Sequence, residues 1–304
     1  MSMFHLPGRA RLRRGTLAAA VVAAAAALLA AAPVPDCGAA QPVSVTADAQ
    51  APVGGPSSVP HLRPAGKPFR VAGRAPALHD AVSSGAQAGP DPRIGLLYYK
   101  DSDGDESICT ATTVPSRRHN LIVTAGHCLM DRGSLRYFTG FVFIPAYRKG
   151  QKFAYGAFKG RRAWVNHGWG ESGDYRDDFG FVELDPDAHG HQVGNVVGEY
   201  GMEANQGYLN PRTVWGYEGL NGPDECFGDT RLFLPPPDDR IRMDCRGYIK
   251  GSSGGPWFDE YSRSVPKGWV DGVISTWPSP KDHNGILSPY FGDSIVTLYE
   301  YVDQ

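Results

Sequence analysis

Two short segments carry side chains that could do chemistry together. Ser253 sits in Gly251-Ser252-Ser253-Gly254-Gly255-Pro256, and His127 lies upstream in Thr124-Ala125-Gly126-His127-Cys128. A serine hydroxyl is a weak nucleophile until an imidazole takes its proton and preorganised N–H groups receive the developing oxyanion. The glycines around Ser253 have no Cβ, so the backbone can turn tightly and aim the N–H groups of Gly251 and Ser253 at one spot. Leu121-Ile122-Val123 reads as a buried strand that delivers His127 to a fixed place. Gly-Ser-Ser-Gly-Gly-Pro alone is equally a flexible turn. The pair points to acyl transfer by an activated serine.

A basic imidazole needs an acceptor on its other nitrogen. Between the two segments runs Asp177-Asp178-Phe179-Gly180-Phe181-Val182-Glu183-Leu184, acids leading into an apolar strand. An Asp pair opening a strand is common on surfaces. In the order His, Asp, Ser, however, the three segments resemble the trypsin/chymotrypsin-like serine peptidases, in their bacterial secreted branch; an α/β-hydrolase runs Ser, Asp, His. The Asp-Phe-Gly here also mimics a kinase motif, but no nucleotide loop accompanies it.

The resemblance covers roughly residues 91–304 and implies His127, Asp178 and Ser253 as catalytic residues, with Asp178 preferred to Asp177. It places the oxyanion hole at the N–H groups of Gly251 and Ser253. It implies a specificity pocket at Gly247, Tyr248, Ser275, Thr276 and Trp277, and a Ser275 hydroxyl that helps hold the aspartate. No acid stands at the pocket base, Ile274 replaces the histidine of glutamate-specific relatives, and Trp277 stands where a glycine would leave the pocket open. Ser252 replaces the Asp that pairs with a freed N-terminus in animal relatives, so that activation switch is lost, although Arg93-Ile94-Gly95 invites a cleavage reading.

Short β-branched and aromatic runs separated by Gly, Pro, Asn and Asp turns indicate an antiparallel all-β architecture. Examples are 94–99, 138–144, 162–165, 179–184, 213–217 and 269–275. The resemblance resolves these into two packed antiparallel β-barrels with the site between them and a closing C-terminal helix. Apolar residues at helical spacing over 295–302, with Asp293 or Ser294 able to cap them, fit such a helix.

Of the five cysteines, Cys37 lies beside the signal cleavage region. The other four admit three connectivities. Local pairing within each half gives Cys109–Cys128 and Cys226–Cys245, and the first resembles a disulfide of the family. Each closed loop is worth around 3 kcal/mol in the chain-entropy model. The close spacings of zinc ligands are absent, so no metal or cofactor is expected. Asp101-Ser102-Asp103-Gly104-Asp105-Glu106 departs from a calcium loop at its sixth and twelfth positions and reads as a solvated hairpin. His119, His167, His189, His191 and His283 read as surface residues, and Trp164 and Trp169 as core or cleft wall.

Arg9, Arg11, Arg13 and Arg14 precede the alanine-rich run Leu17 to Ala32, and small residues follow near Gly38-Ala39-Ala40. This describes a secretory signal over 1–40 and an extracellular protein. Residues 41–90 are rich in Pro, Ala and Gly with few aromatics, and read as a pro-segment or linker unable to build a core. A net charge of −2 without a Lys/Arg block argues against nucleic-acid or anionic-membrane partners. The implied function is a monomeric secreted serine endopeptidase acting on polypeptides, not membrane-bound once the signal is removed. Its rivals are a serine esterase, since Gly251 to Gly255 satisfies G-x-S-x-G, and a non-catalytic binding protein on the peptidase fold.

Overall fold

Six strands close the first barrel: β2 (Ile94–Lys100), β3 (Glu106–Val114), β4 (Leu121–Thr124), β7 (Gly180–Leu184), β6 (Phe158–Val165) and β5 (Thr139–Pro145), in that order around it. All pairings are antiparallel. Leu97, Val123, Phe143, Phe158 and Phe181 are fully buried inside, which is why these runs are apolar and β-branched or aromatic. The computed structural model describes residues 66–77, 90–234, 238–248, 250–262 and 267–304. The signal-like region and Cys37 lie outside the described residues.

The second half is an eight-stranded sheet in the order β1-β8-β13-β12-β9-β10-β11-β14. Its strands are β1 (Phe69–Val71), β8 (Gly201–Ala204), β9 (Pro211–Tyr217), β10 (Pro223–Leu232), β11 (Ile241–Met243), β12 (Pro256–Ser262), β13 (Lys267–Val273) and β14 (Ile286–Ser288). Beyond β13 the chain returns to β14 through the bridge Thr276–Leu287. The Ser275 N–H donates to Leu287 O (2.9 Å) and the Leu287 N–H to Thr276 O (2.8 Å). These bonds bring β9 to β14 round into the second barrel. The expected fold, two antiparallel barrels and a C-terminal helix, is the one adopted; among the described residues the one parallel pairing is β8 with β13.

Two short helices, α1 (His167–Ser172) and α2 (Val193–Val197), interrupt the strands, and α3 (Asp293–Val302) ends the chain, burying Ile295, Leu298 and Tyr299. Neither Asp293 nor Ser294 caps α3. The cap position is Gly292, which has no side chain to offer; the Asp293 carboxylate accepts from Asn205 Nδ2 at 2.7 Å.

Within the stretch 41–90, residues 66–77 are described and include a paired strand. They lack a core of their own, as composition requires, but β1 pairs with β8 and borrows one. The idea of cleavage after Arg93 also meets a barrier. Arg93 is 6% exposed, ion-paired to Asp91 at 2.6 Å and stacked 3.6 Å over the Tyr200 ring.

Candidate active site

His127 sits in a 3₁₀ turn, Gly126–Cys128, directly after β4. The Cys109–Cys128 disulfide fixes that turn to β3. Gly126 has to be glycine, since a Cβ would lie 2.9 Å from the Trp169 ring. Asp178 ends a second 3₁₀ turn, Tyr175–Asp177, whose start is capped by the Asp174 side chain accepting from the Arg176 N–H.

Asp178 is wholly buried and accepts three hydrogen bonds. Its Oδ1 takes the His127 backbone N–H at 2.7 Å. Its Oδ2 takes His127 Nδ1 at 2.8 Å and the Ser275 hydroxyl at 2.6 Å. An ionised carboxylate can only accept, so Nδ1 carries the hydrogen and Nε2 is left as the basic nitrogen. Burial pulls the His127 pKa down, but the Asp178 charge and hydrogen bond outweigh it and raise the pKa above 6.5. The adjacent Asp177 turns elsewhere and accepts from Asn166 Nδ2 at 2.8 Å.

The serine loop is fastened to the histidine barrel through one residue the sequence did not single out, Thr110 on β3. Its N–H donates to Ser253 O (2.7 Å), and its hydroxyl donates to Gly251 O (2.9 Å) while accepting the Tyr217 N–H (2.8 Å). Its carbonyl accepts the Thr124 hydroxyl at 2.8 Å. Gly254, at φ +79°, lies so close that a Cβ would overlap Thr124 Oγ1 and approach Ala125 N to 2.9 Å. The Ser253 turn thus packs on the two residues that lead into the His127 turn. Gly251 has φ +106°, a left-handed conformation suited to glycine. Among the described residues, no backbone acceptor is found for the Gly251 or Ser253 N–H. Ser253 itself is half-buried.

The five residues expected at the pocket divide by location. Trp277 Nε1 donates to Tyr248 O at 3.2 Å, drawing those two walls together. Trp277 remains 36% exposed, with His283 edge-on at 4.3 Å. The Tyr248 ring is buried in the second barrel, its hydroxyl donating to Val214 O at 2.9 Å. Ser275 serves the aspartate, and Thr276 pairs with Leu287. Gly247, at φ +96°, has one neighbour the sequence reading missed: a Cβ there would stand 3.3 Å from Glu218 Oε1. Burial and the nearby Asp224 raise the Glu218 pKa.

Trp169 packs fully buried against the His127 ring at 6.2 Å. Cys109, His127 and Cys128 place potential metal-ligand atoms within 4.8 Å of one another, but the two sulfurs are joined in a disulfide and offer no thiolate. The Asp101 loop is a hairpin tip in which Asp101 Oδ1 accepts the N–H groups of Asp103 and Asp105 at 3.0 and 2.9 Å. His119 is not a simple surface residue: it is half-buried between Arg74 and Glu199. The second pair of half-domain cysteines, Cys226 and Cys245, is also bonded.

No family model matches the chain. Among curated proteins, an extracellular metalloprotease of Bacillus subtilis (strain 168) is 36% identical over 84 residues, 27% of this chain and 24% of that protein. The match therefore spans about a quarter of that relative's length. Among solved structures, the thermostable serine protease AL20 from an extremophilic microorganism has a TM-score of 0.64 at 26% identity, covering 70% of this chain and 97% of its own. Protease Anisep from Arthrobacter nicotinovorans has a TM-score of 0.64 at 25% identity, with 71% and 98% covered. A Glu endopeptidase at 18% identity and TM-score 0.56, covering 77% and 97%, speaks for the fold alone.

The resemblance to chymotrypsin-like serine peptidases holds, and these neighbours support a protease on that fold.

Proposed function

We propose that this chain is a secreted serine endopeptidase working through Ser253, His127 and Asp178. The observation that carries the reading is the two-atom grip of one buried carboxylate on His127, with the serine turn fastened to the same barrel through Thr110. Ser253 Oγ attacks the scissile carbonyl carbon as its proton passes to His127 Nε2. The carbonyl oxygen becomes an oxyanion facing the N–H groups of Gly251 and Ser253. His127 then gives the proton to the leaving amine as the C–N bond breaks, leaving an acyl-enzyme. Water, deprotonated by His127, releases the acid and restores Ser253. Asp178 holds the tautomer and stabilises the imidazolium without taking the proton.

Export through a signal over 1–40 is supported by two disulfides, which persist in oxidising compartments. Among the described residues no helix is long and apolar enough to cross a membrane. Residues 91–304 carry the chemistry in this reading, on a monomer and within the bacterial secreted branch. The non-catalytic alternative draws on one observation, the Trp277–Tyr248 bond between two residues of the proposed pocket. Incubating the purified protein and its Ser253→Ala variant with a peptide library and a p-nitrophenyl ester separates the readings. Peptide cleavage lost in the variant supports the endopeptidase. Ester cleavage alone supports an esterase, and no turnover of either supports a binding protein.

A further inference from the structure

Strand β1 is three residues long and stands at the edge of the eight-stranded sheet, paired with β8. Its register sets Phe69 opposite Ala204, Arg70 opposite Glu203 and Val71 opposite Met202. All four residues of β8 are buried, although β13 covers only one of its edges. A buried strand needs partners for the N–H and C=O groups of both edges, because an unpaired buried backbone group is costly. Residues 69–71 supply the second edge.

The same segment supplies a charge. The Glu203 side chain is wholly buried, and its Oε2 accepts from Arg70 Nε at 2.6 Å. Glu203 and Asp271 follow the parallel register Gly201–Trp269 and Met202–Val270, so two carboxylates stand on adjacent strands. Arg212 serves Asp271; Glu203 has Arg70. The Arg70 guanidinium also lies 4.8 Å over the Trp269 ring. Where Glu203 is ionised, losing that cation would leave an unpaired buried carboxylate and be strongly destabilising.

Contacts continue along the whole segment. Phe69 meets Tyr299 of α3 edge-on at 5.9 Å. Asn205 Nδ2 donates to Lys67 O at 3.0 Å. Arg74 exchanges two backbone bonds with Glu199 (3.0 and 2.8 Å), and the Ala77 N–H donates to Asn195 O at 3.0 Å. Both partners make room with glycine. A Cβ on Gly73 would lie 2.5 Å from Gly201 N, and one on Gly198 would lie 2.8 Å from Arg74 O.

We infer that residues Gly66–Ala77 are a retained strap of the folded peptidase, docked on the β8 edge, and that maturation removes only sequence upstream of Gly66. The inference rests on the reading of the chain as a processed peptidase. It moves the end of the removable region from near residue 90 to before residue 66. The partner that the β8 edge fits is therefore this chain's own N-terminal segment, an extended strand with an apolar residue on each side of an arginine.

The test uses the full chain, expressed, processed and purified as active protein. Mass mapping is expected to recover peptides spanning 66–77 in amounts equal to those from the barrels. The amides of Arg74 and Ala77, which donate to Glu199 O and Asn195 O, are expected to exchange at least about a hundredfold slower than in a free peptide. Above pH about 8, where Glu203 is ionised, Arg70→Gln should speed that exchange about tenfold or more and lower the thermal midpoint, and the double variant Arg70→Gln/Glu203→Gln should recover most of both, since neutralising Glu203 removes the need for a cation. Loss of 66–77 from the active protein, free-peptide exchange rates, or equal damage in the single and double variants would each overturn the inference. Labelling of the same sample by a fluorophosphonate keeps the two readings apart. Label without the strap sinks the strap alone, and strap without label sinks the peptidase alone.

Discussion

Asp178 holds His127 at two atoms, the backbone N–H at 2.7 Å and Nδ1 at 2.8 Å, and it does so from a fully buried position. Position and tautomer of the imidazole are therefore set by one carboxylate. Replacing Asp178 by Asn keeps the shape but allows the amide NH₂ to face Nδ1, which favours the wrong tautomer. The expected loss in kcat is about 10⁴-fold with the fold retained. Ser275→Ala removes one of three bonds to the carboxylate and should cost roughly tenfold. Steady-state kinetics on one peptide substrate checks both, and equal losses would contradict the assignment.

The acid limb of the pH–rate profile follows from the same contact. Only neutral His127 can accept the Ser253 proton, so kcat/KM should fall as pH drops through its pKa, which lies above 6.5. Protonated His127 also stabilises the fold. That contribution is full below the unfolded pKa and is lost as pH rises through the folded one. In Asp178→Asn the charge is gone while burial remains, so the imidazole pKa should drop. Histidine NMR titration of the two proteins would reveal it, and an unmoved pKa would count against the contact.

The buried acids of the second barrel predict a separate pH dependence. Burial, then Asp271 and Asp259, push Glu203 up to about 8 against the pull of Arg70. Burial likewise raises Asp271 to about 6 despite Arg212. Between the unfolded carboxylate range and these values the folded protein binds more protons than the unfolded one. The resulting stability is present below pH about 4 and lost as pH rises through 6 for Asp271 and 8 for Glu203. Glu203→Gln should flatten the fall of the thermal midpoint between pH 6 and 8. A slope unchanged from wild type would show that Glu203 does not titrate there.

Some of this arrangement was legible in the sequence, and the dividing line is physical. The histidine and serine turns announce themselves because the chemistry demands particular residues at particular spacings, as at Gly251 and Gly254. The resemblance to the peptidase pattern, an acid followed by an apolar run, preferred Asp178 to Asp177, and Asp178 is the acid that contacts His127. By contrast, β1 depends on pairing with β8 far along the chain, and nothing local in Phe69-Arg70-Val71 signals it. Nothing local in the sequence marks Thr110; its N–H, hydroxyl and carbonyl all being spent on the site emerges only from the tertiary fold. Glu218 came to lie beside Gly247 for the same reason.

Gly254→Ala tests the clasp between the barrels. The position has φ +79°, and a Cβ would overlap the Thr124 hydroxyl and crowd the backbone at Ala125. Left-handed strain alone costs on the order of 1–3 kcal/mol. Activity should collapse by far more than the thermal midpoint suggests, because the shift moves Ser253 relative to His127. A variant with normal kcat would mean that the turn is not held as described.

Selectivity before the scissile bond should be graded, with small uncharged side chains accepted over aromatic ones while Trp277 stays bonded to Tyr248 O. A methylene-sized difference is worth only about 1–3 kcal/mol in such a slot. Trp277→Gly should extend cleavage to Phe and Tyr. A library profile dominated by Lys or Arg, and abolished by Glu218→Gln, would instead make Glu218 the base of the pocket.

The most direct test of the central claim is covalent. Activation by His127 should make one serine reactive among all those in the chain, so a fluorophosphonate should modify Ser253 alone, located by peptide mapping, and labelling should survive a chelator. Ser253→Ala should abolish labelling and reduce peptidase activity by about 10⁶-fold. Label on another serine, or activity within tenfold of wild type in Ser253→Ala, would contradict the account.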